Sequence, residues 1–148
     1  LVHHSSVMSV SNGFYSEEIK NEWASPIGGE KYLKRISKDQ ELILNPNMII
    51  LIAEVDSKLA GMAMVDKSKN MLCRCYLHAD FQRQGIAQQL VAQIKTEAKS
   101  AGLTFLFTNA SLNAVAFYAK QGFIKDHDDM HILPSGQVMK CVIMRTEL

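Results

Sequence analysis

His78-Ala79-Asp80-Phe81-Gln82-Arg83-Gln84-Gly85-Ile86-Ala87-Gln88-Gln89-Leu90 is the stretch on which the reading of this chain turns. The run Met71 to Leu77 before it has the character of a buried strand, and Ala87 to Ala101 after it has helical spacing. Strand, short polar turn and helix start together aim backbone N–H groups outward. The first N–H groups of a helix have no partner within it, and the macrodipole adds partial positive charge there. An anion, and a phosphate in particular, suits such a place. Gly85 lets a ligand approach the backbone because it has no Cβ, and Ala87 is nearly as small. Arg83 and Gln82 can add side-chain donors. Taken alone, the pattern fits either an anion cradle or an ordinary loop leading into an amphipathic helix.

Outward from this turn, the chain reads as one mixed α/β domain over residues 1–148. Leu1 to Val10 is helical. Ser16 can cap a helix that runs to about Ala24, with Glu17 and Glu18 in its first turn and Ile19 and Trp23 on one face. A further helix is expected over Glu30 to Ser37, reaching towards Leu44. Met48 to Val55 and Lys58 to Val65 form a hairpin about Asp56-Ser57, and Gly61 marks a bulge or a close approach. Leu90, Val91, Ile94 and Ala98 line one side of the helix after the turn, which Gly102 ends. Leu103 to Thr108 should then lie parallel to the strand before that helix, joined by a right-handed crossover. Ser111 can cap a helix over Leu112 to Gln121. Phe123 to Asp126 and Gln137 to Thr146 close the chain as strands about Leu133-Pro134-Ser135-Gly136.

Composition excludes several classes of function. The net charge of +1 argues against a nucleic-acid or anionic-membrane partner. A nucleic-acid role built on Arg83, Lys95 and Lys99 is disfavoured for the same reason. No apolar run reaches the ~20 residues of a membrane span. The N-terminus lacks the pattern of a signal peptide, so a cytoplasmic location is expected. Cys73, Cys75 and Cys141 read as buried reduced thiols, Cys73 and Cys75 on one strand face, rather than a zinc site. His127, Asp129 and His131 share a face if Ile124 to Ile132 is a strand. They can line a pocket or hold a metal, but a solvated face is the default, and no metal is expected. Lys95 and Lys99 read as a solvated helix face.

A second motif follows the first: Ala114-Val115-Ala116-Phe117-Tyr118-Ala119-Lys120-Gln121-Gly122-Phe123. Gln82-x-x-Gly85-x-Ala87 after a strand, followed by this Ala-rich helix ending in Phe-Tyr-x-x-x-Gly-Phe, resembles the GNAT superfamily of acetyl-coenzyme A-dependent N-acyltransferases. Tyr76-Leu77-His78-Ala79-Asp80-Phe81 also resembles that family's strand end. The resemblance covers the chain from about Met48 onward. It implies the GNAT fold: an antiparallel meander, a β-α-β crossover and a C-terminal hairpin. It further implies transfer of an acetyl group from acetyl-CoA to a primary amine, on a small molecule or a protein, by direct attack in a ternary complex. The alternative on the same fold is a non-catalytic acyl-CoA-binding or sensing module.

By the same resemblance, the backbone N–H groups of Gln82, Arg83, Gln84, Gly85, Ile86 and Ala87 would hold the pyrophosphate. The backbone of Leu77 would meet the pantetheine arm or the thioester, where two parallel strands splay. Tyr118 would be the general acid for the departing thiolate, a role that phenol chemistry supports. The family's pantetheine-contacting asparagine is replaced by Ser111, leaving that contact to its hydroxyl or to Asn113. The fourth-strand acid is missing, so deprotonation of the amine would use water or an acid elsewhere such as Glu54. The family's first strand is expected to be absent, which would expose a sheet edge and favour pairing with another chain as a homodimer.

Overall fold

The structure is a computed structural model, and it describes residues 1–24, 27–28 and 40–148. Two short helices open the chain, α1 (Val2–Met8) and α2 (Glu17–Ala24). Ser16 caps α2 as its sequence suggests, accepting from the Ile19 N–H at 3.4 Å. The helix expected over Glu30 to Ser37 lies outside the described residues. Among the described residues no strand precedes β1 (Met48–Val55). There follow β2 (Lys58–Asp66), β3 (Met71–Leu77), α3 (Ile86–Ser100), β4 (Phe105–Ser111), α4 (Val115–Lys120), β5 (Ile124–Ile132) and β6 (Val138–Glu147).

The six strands form one mixed sheet in the order β1-β2-β3-β4-β6-β5. β3 and β4 are its parallel pair, joined through α3 as the crossover pattern requires; every other pairing is antiparallel. Two differences from the sequence reading concern extent. α4 is only six residues long, because Leu112–Ala114 form a 3-10 turn, and the Ser111 side chain caps neither. β5 runs on to Ile132 rather than stopping at Asp126. An extra residue, Asp126, bulges out of its pairing with β6 and lets the strand continue.

Alternation along β6 shows how the sheet is covered. Val142 and Met144 face the main core, with Leu90, Val91, Ile94 and Ala98 of α3 and with Tyr118 and Phe123. Met139 faces the other way, into a smaller cluster with Val10, Tyr15 and Leu133, against which Ile19 and Trp23 pack. The sheet is thus layered between α3 and α4 on one side and α1 and α2 on the other. Polar side chains fasten this second layer. The Tyr15 hydroxyl donates to Lys140 O at 2.6 Å and accepts from the Leu112 N–H at 2.7 Å. Lys20, only 3 % exposed, donates to Val10 O at 3.1 Å and pairs with Glu17. The Glu22 carboxylate accepts from the backbone N–H and the hydroxyl of Ser135, tying α2 to the β5–β6 turn.

Gly61 marks both features that its place in a strand suggests. Ala60 beside it is an extra residue in the β1–β2 pairing, and its carbonyl accepts from the His78 N–H at 2.7 Å. A Cβ at Gly61 would stand 2.8 Å from Leu77 Cδ1 and 2.9 Å from Tyr76 O. Backbone cannot yield as a side-chain tip can. Gly61→Ala is therefore expected to destabilise the fold by about 1–3 kcal/mol, measured as a lowered midpoint in urea unfolding with the slope unchanged.

Candidate active site

The site begins where two strands part. β3 and β4 pair only at Met71↔Phe107 and Leu72↔Thr108, although β3 runs on to Leu77 and β4 to Ser111. The cause lies in β3 itself. Val65 pairs with Leu72 but Met64 pairs with Arg74, so Cys73 is an extra residue that bends the strand just past its last bond to β4. Beyond it the two strands are apart. Successive residues of a strand turn their backbone groups to opposite sides. His78 donates to Ala60 on β2, so the N–H and C=O of Cys75 and Leu77 face into the gap. The backbone of Leu77, the expected contact of the pantetheine arm, thus lies on the gap side of β3.

A cavity of about 350 Å³ fills this gap and opens towards α1 and α2. β3 and β4 contribute Leu72 to Tyr76, Thr108, Asn109 and Ser111, and Asn113 and Tyr118 close one end. Ser6, Val10 and Trp23 form the helical wall; His131, Met139 and Cys141 come from the last hairpin. The two pantetheine candidates, Ser111 and Asn113, are therefore neighbours in one cavity. Of the histidine–aspartate face on β5, His131 reaches the cavity, whereas His127 bonds to Asp126 at 2.6 Å. Among the described residues, no group of three His, Cys, Asp or Glu side chains could hold a metal ion.

Tyr118 is 6 % exposed, and its hydroxyl stands beside Thr108 and Cys75. Burial, reinforced by Cys75, pushes the phenol well above its ordinary 10, so it holds its proton throughout the neutral range. Burial likewise pushes the Cys75 thiol up to about 11, and it raises Cys73 and Cys141 too. All three cysteines line the cavity. The expectation of three buried thiols holds in full only for Cys141: Cys75 is half-buried, and Cys73, taken out of the regular alternation by the bulge, is exposed as a residue although its thiol turns inward to donate to Met64 O at 3.3 Å.

Past Leu77 the chain makes a 3-10 turn over Ala79–Phe81 and enters α3 at Ile86. Arg83 and Gly85 are both left-handed, at φ 60° and 79°. Alternation of this kind turns consecutive N–H groups to one side of the chain. Among the described residues no acceptor meets the N–H groups of Arg83, Gln84 or Gly85. Those of Ile86, Ala87 and Gln88 begin the helix and have no partner in it. A Cβ on Gly85 would find nothing within 4 Å, so glycine is required here for its φ rather than for space inside the protein.

Gln82 departs from its expected part. Its N–H donates to Ala79 O at 3.2 Å and its side-chain amide to Ser9 Oγ at 2.8 Å. Both donors are spent on building the turn. The Ser5 hydroxyl, on α1, accepts from the Ala79 N–H at 3.0 Å, and Gln84 donates to Asp80 O at 3.1 Å. The set of available amides therefore starts at Arg83.

Two other expectations are corrected. Glu54 is exposed and lies in a separate groove between β1 and α3, so it cannot reach an amine beside Tyr118. Lys95 is half-buried rather than part of a free solvated face. Its ammonium donates to Gln121 O at the C-terminal end of α4 and to Thr146 Oγ1, both at 3.1 Å, and partial burial lowers its pKa. It neutralises the carbonyl end of that short helix. Tyr15, whose hydroxyl joins Leu112 to β6 beside the cavity and whose ring meets Trp23 edge-on, carries no mark of this role in the sequence.

Comparison with known proteins bears on this geometry directly. The family model described as an acetyltransferase (GNAT) domain matches residues 15–131, well over half of the chain. An uncharacterised N-acetyltransferase, ycf52 of Pyropia yezoensis, is 28% identical over 104 residues. That match covers 66% of this chain, and the chain spans 60% of that relative's length. A GCN5-related N-acetyltransferase structure from Rhodopseudomonas palustris superposes with a TM-score of 0.82 at 24% identity, covering 99% of this chain and 86% of the other. The structure of PaiA N-acetyltransferase from Thermoplasma acidophilum in complex with coenzyme A gives 0.70 at 22% identity, covering 99% and 89%. With its parted parallel strands, its amide turn and its buried phenol, the chain belongs to the GNAT acetyltransferase family.

Proposed function

We propose that this single domain transfers an acetyl group from acetyl-CoA to a primary amine. One observation carries the reading: a buried phenol, a pair of parted strands and a turn of unpartnered amides follow one another along β3, α3 and α4. The amides of Arg83, Gln84, Gly85, Ile86 and Ala87 suit the pyrophosphate, and the Arg83 side chain can add charge. The backbone of Leu77 suits the pantetheine arm or the thioester carbonyl, acting as an added strand's partner would. Ser111 and Asn113 offer polar contacts to the same arm. Acetyl-CoA supplies an activated acyl group, and Tyr118 supplies the proton that its sulfur needs on leaving.

Direct attack by the amine fits the thiols. A thiol acts as a nucleophile only as its thiolate. Cys75, beside Tyr118, is held protonated at neutral pH by its burial, which disfavours an acyl-cysteine intermediate. No carboxylate lines the cavity among the described residues, which leaves water or the His131 imidazole to take the proton of the amine. That same absence favours the second reading, a module that binds acyl-CoA without turning it over.

Thiol release from acetyl-CoA, followed with spermidine, kanamycin, glycine and an alanyl peptide as acceptors, separates the two. A transferase gives amine-dependent release with at least one of them. Tight acetyl-CoA binding with no release above the amine-free rate for any of them would favour the binding module.

A further inference from the structure

We propose that Tyr15 is a positioning residue for acetyl-CoA: its hydroxyl holds β4 away from β6 at Leu112 and so sets the turn that presents Ser111 and Asn113 to the pantetheine arm. The inference rests on the reading of Ser111 and Asn113 as contacts of that arm.

The β4–β6 ladder keeps one register throughout, from Phe105↔Glu147 to Ser111↔Cys141. Carried one step further, it would pair Leu112 with Lys140. At that step a side chain intervenes. The Leu112 N–H donates to the Tyr15 hydroxyl at 2.7 Å, and that hydroxyl donates to Lys140 O at 2.6 Å. A phenol oxygen thus stands between an N–H and a C=O that would otherwise meet. It can serve both, because it has a proton to give and lone pairs to receive one. Burial raises the Tyr15 pKa, so the proton needed at Lys140 O is kept.

The wedge falls where the chain changes direction. β4 ends at Ser111, and Leu112–Ala114 turn off as a 3-10 helix that the Ser111 side chain does not cap. Ser111 and Asn113, on either side of Leu112, line the cavity. Tyr15 is 3 % exposed and set among Val10, Leu133 and Met139, with Leu112 against the same cluster. Close packing fixes its ring, so the hydroxyl is a fixed point for the turn. Without that oxygen, the Leu112 N–H and Lys140 O either close on each other, drawing the turn towards β6, or stay apart unpaired. In both cases the turn is no longer pinned. Tyr118, further along, is seated in the main core against Phe117 and Phe123 and does not depend on this bond.

Tyr15→Phe removes the one oxygen. It is compared with wild type, with the double variant Ser111→Ala/Asn113→Ala, and in that double background. The ligands are acetyl-CoA, titrated calorimetrically, and ADP, which carries the diphosphate and no pantetheine, read by competition with acetyl-CoA. Tyr15→Phe is expected to weaken acetyl-CoA binding on the order of tenfold, the worth of one or two neutral hydrogen bonds. ADP binding and kcat at saturating acetyl-CoA should stay nearly unchanged. In the double background the Phe change should add nothing, because the contacts it would misplace are already gone. A merely structural tyrosine would weaken both ligands alike, or weaken acetyl-CoA equally in both backgrounds, and either outcome overturns the proposal. So does wild-type affinity in Tyr15→Phe when the double variant is impaired. Wild-type acetyl-CoA affinity in the double variant overturns the reading of Ser111 and Asn113 instead, so the two failures are told apart. Should the Phe variant not fold, 4-aminophenylalanine at residue 15 decides. Its amine still donates to Lys140 O but is a poor acceptor for the Leu112 N–H, so the same selective loss is expected, and its absence overturns the proposal.

Discussion

Tyr118→Phe is expected to lower kcat by about 10²- to 10⁴-fold, the usual contribution of a placed general acid, while acetyl-CoA binds as tightly as before. The substitution removes one oxygen and leaves the ring where it packs, against Phe117 and Phe123 at centroid distances of 5.2 and 5.3 Å. The fold has no reason to suffer from the loss of the ring's shape. The deleted hydroxyl leaves Thr108 with its bond to Leu72 O, so no buried donor is stranded. In the proposed complex, affinity rests on the backbone of the gap and the turn, neither of which the change touches. Single-turnover kinetics and calorimetric titration of acetyl-CoA separate the two effects. A module that only senses acyl-CoA would show no change in either.

Gly85→Asp is expected to do the opposite. It should weaken acetyl-CoA binding on the order of a hundredfold while leaving the chemical step of bound substrate nearly intact. Two causes add. The residue sits at φ 79°, where an L side chain is strained and the turn would relax by withdrawing its amides. The new carboxylate would occupy the ground the diphosphate needs, and charged hydrogen bonds of this kind are worth about 1.5–3 kcal/mol each. Gly85→Ala isolates the first cause, since nothing inside the protein lies within 4 Å of the added methyl. Binding curves for both variants, with a urea melt to show that each is folded, check the assignment. Equal affinity in all three proteins would remove the turn from the site.

The parts of this molecule that were legible in its sequence are those where a single residue type does a job no other can. Gly85 and Gly122 end or begin helices at left-handed φ, and Tyr118 stands between them in a short pattern of fixed spacing. The apolar runs of β1, β3 and β4 and the 3.6-residue spacing of Leu90, Val91, Ile94 and Ala98 mark the strands and the helix that covers them. What escaped was decided by partners distant in the chain. Gln82 looks like a ligand donor until Ser9, seventy-three residues earlier, takes its amide. Lys95 looks solvated until the end of α4 folds over it. Cys73 and Cys75 look equivalent because a bulge leaves no mark in the spacing; the extra residue is defined only against Met64 and Val65 on the neighbouring strand.

The hydroxyls of Ser5 and Ser9 join α1 to the segment that precedes α3. From the same helix and its exit, Ser6 and Val10 form a wall of the cavity. A tug on either end is therefore felt at the other. The start of α3 and the cavity wall thus share one support, and a change at Ser5 or Ser9 would reach both.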